Sequence, residues 1–152
     1  MAKNDIKPGE EFLGQGFIAP LKQSPTGEFE FKSGLDLVRE SLKAIFSTRA
    51  KIKNSNAFAA GERFMRGSFG NKAHQIRHEN ITDETVALLE ANYVDAAELW
   101  EPRAIITNIT TKTNETANKI ETFVNFRLVG VNAEGNLVIV RDQNSNVTFR
   151  DF

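Results

Sequence analysis

His74 and His78 stand four residues apart, the spacing that lets two imidazoles on one helix face share a metal ion. A zinc-protease pattern also needs a glutamate directly after its first histidine, and here Gln75 follows. No third ligand is tied to the pair, so the two read as surface or interface histidines. Asp95, Glu98 and Glu101 follow one another at three-residue steps. A glycosidase needs two carboxylates facing each other across a cleft, and three on one helix ridge do not make that geometry unless a residue from elsewhere, such as Glu62, supplies the partner. Arg49, Lys51 and Lys53 form a basic run without interleaved aromatics, which reads as a solvated or protein-facing patch rather than a nucleic-acid site.

The most specific local pattern is Trp100-Glu101-Pro102-Arg103. Its plain reading is a helix stop with two surface charges. A sharper one uses the proline, which biases Glu101 away from the helical region, so that Glu101 and Arg103 project to the same side as i and i+2 do in a strand. An acid and a base beside Trp100 make a docking element for another protein, tryptophan and arginine being typical interface anchors.

Other chemistries are excluded by what is missing. The chain has no cysteine, which removes disulfides, thiolate metal sites and thiol nucleophiles. Gly14-x-Gly16 lacks a third glycine and no βαβ pattern surrounds it, so no dinucleotide or phosphate loop is expected. Neither a cofactor nor a metal is expected. Nineteen basic and twenty acidic residues leave a net charge of -1, with no field of one sign for nucleic acid or an anionic membrane. Met1 to Glu11 lacks the apolar stretch of a signal peptide, and no segment has the length of a membrane span.

The elements that must position these residues follow from periodicity. The 152 residues suit one domain, with residues 1–11 as a polar arm broken by Pro8-Gly9 and residues 12–152 as the domain. Phe12 to Leu21, the turn residues Ser24-Pro25-Thr26-Gly27 and the alternating Phe29-Glu30-Phe31 predict a short hairpin. Leu35, Val38, Leu42, Ile45 and Phe46 predict a helix over 34–47 behind an N-cap at Ser33. Residues 50–60 read as a surface insertion, and the Gly- and Phe-dense stretch from Gly61 to Gly70 as a constrained loop. Thr82 caps a second helix whose core face is Val86, Leu89, Tyr93, Ala97 and Trp100, widened by Ala96 and Leu99, and which Pro102 ends. Strands follow at 104–111, 123–131 and 137–141, with a turn at 132–136 and a further strand over 147–152. The order predicts an α+β fold: two main helices packed on a mostly antiparallel sheet, with an N-terminal hairpin and arm.

Ser33-Gly34 leading into the first helix, Thr48, Gly61-Glu62-Arg63, Phe69-Gly70, Glu79-Asn80 before a capped helix, and Trp100-Glu101-Pro102-Arg103 together resemble the baseplate wedge proteins of contractile phage tails. Type VI secretion baseplates and related injection particles use a similar component. The resemblance spans roughly residues 30–141. It implies a non-enzymatic sheath-initiator subunit of the virion, assembled in the host cytoplasm, in six-fold arrangement around the tail tube. Its implied partners are baseplate wedge proteins, the tail sheath protein and tail tube proteins, with neither nucleic acid nor membrane. Trp100, Glu101, Pro102 and Arg103, with Glu62 and Arg63, would form the protein interface, and sheath strands would add to the sheet by β-augmentation. The chain departs from that pattern in the lengthened link over 50–60, in Gly67 where proline is common, and in the polar Gln75, Arg77 and His78. A peptidoglycan hydrolase carried on the baseplate and the type VI counterpart are the competing readings. Twelve of the fourteen aromatic residues are Phe, and those near the ends, Phe12, Phe17, Phe149 and Phe152, are expected to be partly exposed in the free chain and covered in an assembly.

Overall fold

The apolar stripe Leu35, Val38, Leu42, Ile45 and Phe46 winds into α1, Gly34–Ser47, at the bounds its period predicts. The computed structural model describes residues 11–17, 21–52, 61–63, 65–76, 81–114, 119–142 and 146–150. Ser33 occupies the N-cap position, but its side chain makes no capping hydrogen bond. It is also the last residue of a strand, so the chain passes from sheet to helix without the expected hydroxyl cap.

Helix α2, Asp83–Trp100, does have its cap: Thr82 Oγ1 accepts the Thr85 amide at 3.3 Å, and Thr85 Oγ1 accepts the Thr82 amide at 2.6 Å. This is a capping box in which a threonine takes the place of the usual glutamate. Leu89, Tyr93, Ala96 and Ala97 are buried, while Val86 and Trp100 are half-buried. Leu99 is 68% exposed and does not widen the core face. Six residues at about 100° each carry it about 240° round the helix from Tyr93, onto the solvent side.

Four strands form an antiparallel meander in the order β3-β4-β5-β6: β3 is Ala104–Asn114, β4 Lys119–Leu128, β5 Glu134–Arg141 and β6 Val147–Arg150. Alternation along β4 buries Thr122, Val124, Phe126 and Leu128. The continuous run Leu137 to Val140 is buried throughout, as suits an inner strand. A bulge interrupts β3 between Ile106 and Asn108, and Thr107 Oγ1 donates to the Asn125 carbonyl there. The turn joining β4 to β5 lies at 129–133, earlier than the polar cluster at 132–136 suggested. Gly130 supplies a positive φ of 80° and the Leu128 amide closes the turn on the Ala133 carbonyl.

Both helices pack on this sheet, α1 against β5 and α2 against β3. The core joins Val38, Leu42, Ile45 and Phe46 of α1 to Leu89, Tyr93 and Ala97 of α2 and to Val124, Phe126, Leu137 and Ile139 of the sheet. Phe46 and Tyr93 meet edge to face with centroids 5.1 Å apart. The fold class is therefore α+β.

Ahead of α1, β1 (Gln15–Phe17) pairs antiparallel with β2 (Phe31–Ser33). The Ser24-to-Gly27 turn is closed by the Gly27 amide on the Ser24 carbonyl. Residues 1–10 of the expected arm lie outside the described residues, and Glu11 opens a 3-10 turn, Glu11–Leu13, that buries Leu13. Phe12 and Phe17 are each 57% exposed, Phe149 is half-buried, and Phe152 lies outside the described residues. Of the expected insertion, 53–60 also lie outside them, but Ala50 is buried rather than on the surface. No helix among the described residues is long and apolar enough to cross a membrane.

Candidate protein-docking site

Pro102 stops α2, and the chain reverses at once into β3. Glu101 takes φ -131° and ψ 73°, outside the helical region, while its amide still donates to the Ala97 carbonyl. The Ala104 amide then donates back to the Glu101 carbonyl at 3.1 Å. The four residues thus form a closed turn rather than the extended segment expected from the proline alone.

The turn brings Glu101 and Arg103 together by another route. Arg103 Nε donates to Glu101 Oε1 at 2.6 Å and Nη2 to Oε2 at 2.8 Å, a planar fork. Arg103 Nη1 donates to the Leu13 carbonyl at 2.7 Å, fastening the N-terminal 3-10 turn to the corner. Glu101 is only 2% exposed and Arg103 half-buried. Burial pushes the Glu101 carboxyl up, yet the hydrogen bonds from Arg103 and Ser41 overcome it and hold the group below its ordinary value. The same fork raises the Arg103 guanidinium. The acid and base are adjacent as expected, but they are engaged with each other instead of being displayed as a free pair. The exposed member of the turn is Pro102.

The 61–70 loop packs beside this corner. The Phe69 and Trp100 rings lie 5.2 Å apart, the Arg63 guanidinium sits 4.4 Å over Phe69, and that of Arg66 lies 5.9 Å from the Trp100 centroid. Arg63 and Arg66 are exposed, and Met65 between them is 92% exposed with φ 61°. A non-glycine residue in the left-handed region stores backbone strain, a feature that gathers at binding sites. Glu62 does not join this surface. Its carboxylate turns to Arg49, accepting the Arg49 amide at 2.9 Å and lying 3.4 Å from Arg49 Nε.

One residue passed over in the sequence holds the loop in place. Asn71 is 3% exposed, and its Nδ2 donates to the carbonyls of Ile45, Phe46 and Thr48 while its Oδ1 accepts the Ala73 amide. It satisfies carbonyls that the end of α1 leaves without helical partners. Gly70, with φ 108°, passes so near the Thr48 carbonyl that a Cβ has no room. The only signal in the sequence is a Gly-Asn pair after a Phe-rich stretch, which is also ordinary turn chemistry.

Asp95 and Glu98 are exposed on α2 and Glu101 is locked to Arg103, so the three carboxylates do not share a cleft. His74 lies half-buried in a 3-10 turn, Ala73–Ile76, and His78 lies outside the described residues. Among the described residues no group of three or more acidic or histidine side chains is placed to hold a metal ion.

The chain is similar to a solved chain of the anti-feeding prophage baseplate, a six-fold symmetrised assembly. That likeness has 27% identity and a TM-score of 0.68, and covers 80% of this chain and 90% of that one. It is also similar to a Geobacter sulfurreducens protein that carries a tail-lysozyme name, with 27% identity, a TM-score of 0.56, and coverage of 69% and 86%. No curated protein sequence matches the chain. These likenesses support a structural role in the baseplate of a phage tail or tail-like particle. Residues 32–133 match the family described as baseplate wedge protein gp25, a span that takes in both helices, the Glu101–Arg103 corner and the first two strands of the meander, and the chain belongs to that family.

Proposed function

We propose that the protein is a non-enzymatic sheath initiator of a contractile tail. It docks on the inner wedge beside the tube in six-fold arrangement, and offers strand edges to the first sheath subunits. The observation that carries the docking role is the closed Glu101–Arg103 corner with the arginine-bearing loop stacked beside it. Buried charge pairs are a costly way to gain stability, and one use of them is to define a shape. Glu101 and Arg103 set the turn, while Trp100 and Phe69 carry Arg63 and Arg66 outward. Pro102 and the two arginines meet the partner, an acidic and apolar helical surface. Glu62 contributes indirectly through Arg49, at the base of the loop.

The meander leaves β3 and β6 as outer strands, with one neighbour each among the described residues. Such edges take an added strand through main-chain hydrogen bonds, and alternate side chains select the partner. The setting is the virion, assembled in the host cytoplasm, and the type VI secretion baseplate is the equivalent setting on the same chemistry.

The test is assembly. Arg63→Glu with Arg66→Glu should cost the isolated chain only the two exposed cation–π contacts, about 0.5–1 kcal/mol each, leave it folded, and abolish its incorporation into tails. Tails formed at normal yield from that variant would refute the docking face. The tail-lysozyme name of one similar protein favours a second reading, a peptidoglycan hydrolase. Clearing of purified cell wall that vanished with Glu62→Gln or Glu98→Gln would establish it in place of the structural one.

A further inference from the structure

Four separate segments converge on a polar cleft that shares only the Arg49–Glu62 pair with the docking corner. Arg49 follows α1, Glu62 comes from the loop, His74 from the 3-10 turn, and the β5–β6 pair supplies Arg141, the last residue of β5, and Asn146, just ahead of β6. Its charges are unevenly satisfied. Glu62 faces Arg49, and that pair is about half exposed. The Asp142 carboxylate is taken up by the Asn146 amide at 2.8 Å and its Nδ2 at 3.0 Å. Arg141 donates from Nη2 to the Tyr93 hydroxyl at 3.1 Å, a neutral acceptor. Among the described residues no carboxylate pairs with it.

Two residues lining this cleft each bury a nitrogen without a close hydrogen-bond partner among the described residues, Arg141 at Nε and His74 at Nδ1, although the Asn71 backbone still acts on the His74 ring. An unsatisfied buried polar atom costs about 1–3 kcal/mol, and more when it is charged. The Arg141 Nε–H calls for an acceptor, and His74 Nδ1 calls for one when it carries a proton. A guanidinium with an unpartnered Nε–H, on the same cleft as an imidazole that donates from Nδ1 when that nitrogen is protonated, offers donors to the two oxygens of a planar oxyanion.

We infer that this cleft is an oxyanion site that takes a glutamate or aspartate side chain of a neighbouring protein chain, with Arg141 as the principal cation and Arg49 and His74 flanking it. The choice of a protein carboxylate over a free anion rests on the baseplate reading, in which the chain is packed among other subunits. His74 reports occupancy. In the free chain, burial and then the charges of Arg49 and Arg141 hold its pKa below the ordinary value, with a hydrogen bond to the Asn71 backbone and then Glu62 opposing them. A bound carboxylate adds a negative charge and pulls it back up.

The experiment follows the His74 imidazole by NMR across pH, in a His78→Gln background so that one histidine remains. The titration is run with sodium chloride, with inorganic phosphate, and with the end-capped peptide Gly-Gly-Glu-Gly-Gly, at matched ionic strength. The expected result is a rise of about half a pH unit or more with the peptide, absent with the glutamine version of the peptide and lost in Arg141→Gln. Because that variant also gives up the Tyr93 bond and can lose its fold, the exposed Arg49→Gln serves as a second variant and should weaken the response. An unchanged titration, or an equal rise in both arginine variants, would overturn the site. A response to phosphate alone would overturn the carboxylate. This readout needs only the isolated chain, so it fails or succeeds independently of the tail-assembly test.

Discussion

The Glu101 carboxylate and the Arg103 guanidinium close a two-pronged fork, 2.6 Å and 2.8 Å, across a single proline, with the acid 2% exposed. Removing either half strands the other, and breaking such a buried pair costs roughly 3–5 kcal/mol, with the lower end expected here because Arg103 is half-exposed. Glu101→Gln and Arg103→Ala should each lower stability by about 3 kcal/mol in urea unfolding. Arg103→Ala should also free the N-terminal turn, since the Leu13 carbonyl loses its donor. Amide exchange that rises around residues 11–17 in Arg103→Ala but not in Glu101→Gln would check that second role.

Acid should weaken the same corner. The folded Glu101 pKa lies below its unfolded value, so its contribution is complete above about pH 4.3 and is lost as pH falls through the folded value. Wild-type unfolding free energy should therefore drop more steeply than that of Glu101→Gln between about pH 5 and 3, and the gap between the two should narrow. A gap that stays constant over that interval would mean the fork is not what titrates.

Asn71→Leu is expected to cost about 2–4 kcal/mol, because the carbonyls of Ile45, Phe46 and Thr48 lose a shared donor in a buried place. Circular dichroism should show a lower melting temperature, with the frayed end of α1 as the first change. A loss under about 0.5 kcal/mol would show that water or a neighbouring amide substitutes freely.

Gly70→Ala combines a φ of 108° with a collision against the Thr48 carbonyl, and should cost more than the roughly 1 kcal/mol typical of backbone freedom alone. Its distinguishing effect is on the loop: the Trp100 fluorescence should change, since Phe69 packs on that ring. A destabilised variant with unaltered Trp100 emission would separate the glycine from the docking loop.

Thr82→Ala removes one half of the capping box and should cost about 1 kcal/mol. Thr85→Ala, which removes the reciprocal half, should cost a similar amount, and the double variant less than the sum of the two. Full additivity would mean that the two hydroxyls act independently.

The elements themselves were legible. The bounds of α1, the Thr82 cap, the stop at Pro102, the hairpin turn at 24–27 and the α+β order all follow from periodicity and local backbone chemistry, which depend on residues a few positions apart. So does the adjacency of Glu101 and Arg103, although a closed turn and not an extended segment brings them together. Tertiary packing decided the rest. Whether the pair is displayed or buried depends on Ser41 and Leu13, distant in the chain. Leu99 is a separate case, since helix phase alone, which the sequence does contain, sets it about 240° from Tyr93 and in solvent. Asn71 reads as a turn residue until the end of α1 is laid against it, and the cleft around Arg141 and His74 exists only because separated segments converge there. Burial and charge pairing are properties of the packed chain, and no local pattern of residue types contains them.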